Sequence, residues 1–178
     1  MITKPLETER LLLRPAKVSD AEAIYTGWTS DPNVSHFMRW STHKSIDETI
    51  EWLTGLEKEL TNPNKTFCDW LFVCKKTNLP IGTGGVYQNK TYNVLELGYG
   101  IMKSRWGQGF ATEAARGILG YVVSELGATK IYACHAKENL PSGAIIKKLG
   151  FVYKSDGKYS KFDGSATFET REYFLEVT

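Results

Sequence analysis

The chain has 178 residues, enough for one well-buried core and too few to expect two full domains, so residues 1–178 are read as a single domain. Hydrophobic residues make up 42% and charged residues 24%, which speaks against a disordered chain; 22 basic against 20 acidic side chains leave a formal charge of only +2, which gives nucleic acid binding no support. No apolar run is long enough to span a bilayer and Met1-Ile2-Thr3-Lys4-Pro5 is no signal peptide, so a cytoplasmic protein without a membrane partner is expected.

Thr8-Glu9-Arg10-Leu11-Leu12-Leu13-Arg14-Pro15 predicts a first strand that Pro15 ends. Ser19 or Asp20 then caps a helix with Ala23, Ile24 and either Gly27 or Trp28 on its inner face. From Ser30 to Lys44 there is little periodicity, but Phe37, Met38, Arg39 and Trp40 crowd together, as in an acceptor-binding wall or a plug over the core. Ser45 and Glu48 predict a capping box for a helix whose core stripe is Ile46, Ile50, Leu53, Leu56 and Leu60.

Three β-type runs follow, Asp69 to Lys75, Ile81 to Tyr87 and Val94 to Ile101, joined by short turns as an antiparallel meander. Gly82, Gly84 and Gly85 mark a bulge or a close backbone approach in the middle run. Cys68, Cys74 and Cys134 are an odd set without a Cys-x-x-Cys pair and read as reduced core residues; His36, His43 and His135 lack metal-ligand spacing, so no metal is expected.

The segment Leu97 to Ala115 organises the rest: a strand, a polar link Lys103-Ser104-Arg105, the glycines Gly107 and Gly109, and an Ala-rich amphipathic helix. Bare backbone at the glycines and the unpaired first-turn N–H groups of a helix together suit a phosphate or pyrophosphate. On the glycines alone, a tight turn that needs only positive φ is an equal reading. A dinucleotide fingerprint fails because Thr112 stands where a third glycine belongs, and no Gly-Lys-Ser/Thr tripeptide offers a Walker A loop.

After that turn, Ala111, Ala114, Ala115, Ile118, Val122 and Leu126 line one helix face, closed by Gly127. Ile131-Tyr132-Ala133-Cys134 predicts a short buried strand parallel to the one before the helix. Pro141 begins another helix that Gly150 stops, and two strands, about Val152 to Tyr159 and Thr167 to Leu175, flank a turn at Lys161-Phe162-Asp163-Gly164.

Trp106-Gly107-Gln108-Gly109-Phe110-Ala111-Thr112-Glu113 resembles the acetyl-coenzyme A loop of the GNAT N-acetyltransferases, with Gly109 and Ala111 in its last two fixed positions and Trp106 where Gln or Arg is usual. Its wording, with the Arg-Leu-x-Leu-Arg opening, is similar to the branch that holds the ribosomal-protein N-terminal alanine and serine acetyltransferases. Asn139-Leu140-Pro141-Ser142, continuing to Lys147, Lys148, Gly150 and Phe151, resembles the family's second cofactor motif. The resemblance implies an α+β, GNAT-type acyl-CoA N-acyltransferase fold: a mixed, mostly antiparallel seven-stranded sheet with helices on both faces.

It further implies that acetyl-CoA binds as cosubstrate at Ile101, Met102, Lys103, Arg105, Gly107, Gln108, Gly109, Phe110, Ala111, Thr112, Asn139 and Ser142, with the backbone of Gly100 to Lys103 meeting the pantetheine. For Asn139 the competing role is to cap the following helix, and for Arg105 it is a solvated surface position. Many members protonate the departing thiolate with a tyrosine at the position of Ile146; the branch resembled here points to Ser142 instead. Glu96 is the best placed carboxylate to draw the acceptor's proton through water, against an ordinary surface glutamate. The oxyanion donor is expected to be a backbone N–H near Ile101 or Met102.

The expected activity is direct acetyl transfer, in a ternary complex, to a primary amine, first of all a protein N-terminal α-amine. The alternatives are a small amine such as a polyamine, amino sugar or antibiotic, or a non-catalytic acetyl-CoA-binding module. Monomer and homodimer are equally open.

Overall fold

A computed structural model describes residues 1–177. In chain order it contains strands β1 (Leu6–Glu7) and β2 (Leu11–Arg14), helices α1 (Ala21–Ile24), α2 (Pro32–Ser35) and α3 (Ile46–Leu60), and strands β3 (Phe67–Cys74), β4 (Leu79–Asn89) and β5 (Val94–Ile101). There follow α4 (Phe110–Ser124), β6 (Lys130–Ala136), α5 (Leu140–Lys148), β7 (Val152–Ser160) and β8 (Thr167–Glu176). One sheet runs β1-β2-β3-β4-β5-β6-β8-β7, and only β5 and β6 pair in parallel. Among the described residues no helix is long and apolar enough to cross a membrane.

Among the described residues the sheet has eight strands, not the expected seven, because a two-residue strand, Leu6–Glu7, precedes the predicted first strand. Thr8 makes the turn between them: its hydroxyl accepts from the Leu11 N–H at 3.1 Å, and Leu6–Glu7 pairs back on Leu12 and Leu13. Two helix starts also differ. Asp20 makes no cap on α1; Arg14 holds both its carboxylate oxygens at 2.8 and 2.9 Å, and the Lys17 N–H donates to one of them at 2.8 Å. Ser45 makes no side-chain cap on α3, and Glu48 accepts from the Lys44 N–H instead, so the predicted box is not formed.

Two apolar clusters divide by sheet face. Leu11, Leu13, Trp70, Phe72, Val86, Leu97 and Ile101 pack with Phe110, Ala114, Ala115 and Ile118 of α4 and Ile146 of α5. On the other face Leu71 and Val73 pack with Ile24, Trp28, Val34 and Leu53. The α3 stripe is narrower than predicted: Leu53 is buried but Ile50 is 36% exposed. Thr49 takes the inner position, hydrogen-bonded to Thr29 Oγ1 at 2.9 Å and His43 Nδ1 at 2.7 Å.

The glycines of β4 reflect a close approach to both neighbouring strands. A side chain on Gly82 would meet the Gly100 carbonyl, one on Gly84 the Gly98 carbonyl, and one on Gly85 the Cys68 carbonyl. The bulge foreseen in this run is present as well: Phe72 pairs with Gly82 but Val73 with Pro80, so Ile81 is the extra residue.

Candidate active site

The sheet opens at its centre. β5 and β6 share only two partner pairs, Leu95 with Ile131 and Glu96 with Tyr132, after which the strands part. β5 stays paired to β4 as far as Ile101, and β6 stays paired to β8 as far as Ala136. Main-chain groups on the facing edges therefore lack a strand partner, and an extended amide chain can bond to them.

Alternation along the antiparallel β4–β5 pair decides which groups face the gap. The Met102 N–H is bonded to the Ile81 carbonyl at 2.8 Å, so Met102, Gly100 and Gly98 direct their main chain at β4. Leu97, Tyr99 and Ile101 direct theirs into the gap. Of the two expected oxyanion donors, the Ile101 N–H is the one that faces the opening, and Met102 is already engaged.

Beyond β5 the chain makes one tight turn over Lys103–Arg105 and enters the glycine turn, where Gly107 and Gly109 adopt φ of +74° and +81°. Gly109 is the N-cap of α4, with no side chain closing the helix end, so the first N–H groups of the helix are available to an anion. Trp106 is half exposed, and its indole N–H donates to the Ile101 carbonyl at 2.7 Å, which staples the turn to the end of β5. That bond gives a structural use to the aromatic residue that stands where Gln or Arg is usual in the resembling loop. Phe110 and Thr112 are buried, which leaves only their main chain open to any ligand; Lys103, Gln108 and Gly109 are exposed and Arg105 is partly buried.

The start of α5 lies across the opening. Gly143 sits so close to His135 of β6 that any side chain there would clash with the imidazole, and this approach sets Ser142 beside β5. Ser142 Oγ lies 3.3 Å from the Tyr99 hydroxyl. Burial pushes the Tyr99 phenol up to about 12, against a smaller opposing effect of its Ser142 contact, so it keeps its proton at neutral pH. Asn139 caps α5, its Oδ1 accepting from the Ser142 N–H at 3.3 Å, which leaves its Nδ2 as the group that can reach a ligand. Ile146 is buried in the core.

Side chains alternate along β5, so Glu96 projects on the face opposite Leu97, Tyr99 and Ile101. It accepts from Asn89 Nδ2 at 2.8 Å and lies 3.4 Å from Arg39 Nη2. Arg39 in turn lies over the Tyr159 ring at 4.9 Å. Cys134 Sγ is 3.9 Å from Glu96, and burial, then the Glu96 charge, push this thiol up to about 11, so it is not a thiolate nucleophile at neutral pH.

The aromatic segment before α3 forms the wall on this face. Met38 packs over Gly100, its methyl 3.2 Å from where a side chain would begin. The turn between β7 and β8 fixes the segment from outside: Lys161 Nζ donates to the carbonyls of Ser35, Met38 and Trp40 at 2.7, 3.1 and 3.1 Å. The Phe162 N–H donates to the Arg39 carbonyl at 2.8 Å. Deeper in the same face Asp69 is buried and accepts from the Tyr87 hydroxyl, while its other oxygen has no partner. Burial pushes this carboxyl up to about 7.

Arg39 was expected only as part of the crowded segment, and Tyr99, Lys161 and the Asp69–Tyr87 pair carry no sequence signal, since each partner is distant in the chain and of a type common on surfaces. The arrangement can seat an acyl thioester in the split strands, protonate a leaving group from the Ser142 and Tyr99 side, and admit an amine from the Glu96 side.

The family model described as "Acetyltransferase (GNAT) domain" matches residues 10–152. The chain is 28% identical to the uncharacterized N-acetyltransferase YoaA of Bacillus subtilis (strain 168) over 174 residues, covering 96% of this chain and 95% of that protein. The structure of a putative ribosomal-protein-serine acetyltransferase from Vibrio cholerae superposes with a TM-score of 0.83 at 18% identity, covering 99% of both chains. RimL, a ribosomal L7/L12 alpha-N-protein acetyltransferase solved with coenzyme A, superposes with a TM-score of 0.82 at 16% identity, covering 98% of both chains. With the family matched over most of its length and the fold over nearly all of it, the chain belongs to the GNAT acetyltransferases, enzymes that take their acetyl group from acetyl-coenzyme A.

Proposed function

We propose that the protein transfers the acetyl group of acetyl-coenzyme A directly to the α-amine of a protein N-terminus. The observation that carries this reading is the placement of side chains across the split: Ser142 with Tyr99 on one face of the sheet, Glu96 on the other. The pyrophosphate would lie on the turn Gly107 to Ala111 and the first N–H groups of α4, and the pantetheine along Leu97 to Ile101 with Asn139 Nδ2. The thioester carbonyl would point at the Ile101 N–H. The ammonium loses one proton through water to Glu96 and the neutral amine attacks; the carbon–nitrogen bond forms, the carbon–sulfur bond breaks, and the departing thiolate takes the Ser142 proton. The second proton, shed by the new amide nitrogen, returns through water to Ser142, which Tyr99 holds by its hydrogen bond.

An α-amine suits this site. With a pKa of roughly 8, about a tenth of it is neutral at pH 7, so a carboxylate tied to Asn89 and Arg39 is base enough. A lysine or polyamine nitrogen near pKa 10 would need a far stronger base. The names of the two solved relatives point the same way. A thiol-release assay with free peptides, the same peptides blocked at the N-terminus, polyamines and aminoglycosides tests the reading. Turnover only with free N-termini is expected; turnover only with small amines would overturn it.

A further inference from the structure

Arg10 and Glu113 stand 103 residues apart and meet beside the glycine turn. The Glu113 carboxylate is held by three donors: Arg10 Nε at 2.6 Å on one oxygen, and the Arg10 N–H at 2.7 Å and Thr8 Oγ1 at 2.6 Å on the other. The same guanidinium donates through Nη1 to the Gln108 carbonyl at 3.0 Å and covers the Phe110 ring at 4.2 Å. Its Nη2 stands 3.5 Å from where a side chain on Gly109 would begin.

Two physical consequences follow. A carboxylate in the first turn of α4 would repel a diphosphate bound there; three donors hold it against the β1–β2 turn, and its pKa is lowered by them and by the Arg10 charge, against an opposing burial effect. The second concerns the peptide between Gln108 and Gly109. Glycines on both sides of Gln108 leave this peptide free to flip, whereas a planar trans peptide with its oxygen tied to Arg10 must send the Gly109 N–H the opposite way.

We infer that Arg10 is a positioning residue for the coenzyme's diphosphate, locking the Gln108–Gly109 peptide and neutralising Glu113 so that the turn is shaped before the ligand arrives. The inference rests on the coenzyme reading above. Thr8-x-Arg10 and the Glu113 of the turn motif are thereby two halves of one clamp.

The test is calorimetric titration of coenzyme A into wild type, Arg10→Ala and Arg10→Ala/Glu113→Ala, with KM for acetyl-coenzyme A and for S-acetyl-pantetheine, which lacks the diphosphate. Arg10→Ala is expected to weaken coenzyme A about tenfold, with kcat and the S-acetyl-pantetheine KM within about twofold of wild type. A general loss of structure would move both substrates equally. The double variant should recover only part of the loss, because removing Glu113 relieves the repulsion but leaves the Gln108–Gly109 peptide unlocked. Full recovery of affinity in the double variant would show that Arg10 only neutralises Glu113, and overturn the positioning role. Arg10→Lys should not rescue, since one ammonium cannot bridge Glu113 and Gln108 together. If Arg10→Ala does not fold, Arg10→Gln takes its place. Normal wild-type binding with an unchanged Arg10 variant removes this inference alone; a wild type that binds no coenzyme A removes the coenzyme reading with it.

Discussion

The Ser142 and Tyr99 hydroxyls lie 3.3 Å apart on the side of the split proposed for the coenzyme. Ser142→Ala should lower kcat by about 10²-fold with little change in acetyl-coenzyme A affinity, as for a group that acts on the leaving thiolate. Loss of affinity at unchanged kcat would assign Ser142 to binding instead. Asp69 makes a different prediction, about stability. Its carboxyl is held near pH 7 in the folded chain against about 3.9 when unfolded, so the protonated form is the one the fold favours. The stabilisation is therefore complete below about pH 4 and lost as pH rises through 7, on the order of 4 kcal/mol at most. Asp69→Asn, neutral at every pH, should melt above wild type at pH 8, with the advantage disappearing toward pH 4. Parallel melting curves across that range would show that Asp69 is not buried in this way.

Among elements, the β7–β8 turn acts as a fastener for the Met38 to Trp40 wall. Three carbonyls depend on the Lys161 ammonium, whose pKa is lowered by burial. Lys161→Met should cost about 1–3 kcal/mol and raise the acceptor KM while leaving coenzyme A affinity unchanged. An unchanged acceptor KM would mean that this wall does not touch the acceptor. Most elements were legible in the sequence because their signals are local: Gly127 and Gly150 after two helices, Pro141 inside the first turn of α5, and turn residues between the meander strands. The α3 stripe was misjudged because Thr49 enters the interior through hydrogen bonds to Thr29 and His43, which apolar periodicity cannot register. The capping box failed for a related reason, since Glu48 bonds one residue earlier than the pattern places it. The two-residue strand β1 is too short to carry a periodicity at all.

At the scale of the molecule, the central fact is that β5 and β6 pair for two residues and then separate, with helices closing one side and the Met38 to Trp40 wall the other. The two motifs flanking this split could be read in advance because each is a contiguous string of residues. What lies between them could not. Tyr99 meets Ser142 across 43 positions, Arg39 meets Glu96 across 57 and Lys161 meets Met38 across 123, and each contact is made only when the sheet assembles.

The claim that two faces of one split do two jobs is tested most directly by kcat/KM against pH, from below to above the amine pKa, for wild type and Glu96→Gln with one peptide bearing a free N-terminus. Wild type should hold its activity where the amine is protonated, since Glu96 removes that proton; the variant should lose most activity below the amine pKa of roughly 8 and approach wild type above it. Curves that lie parallel or superimpose at every pH would contradict the account and remove Glu96 as the base.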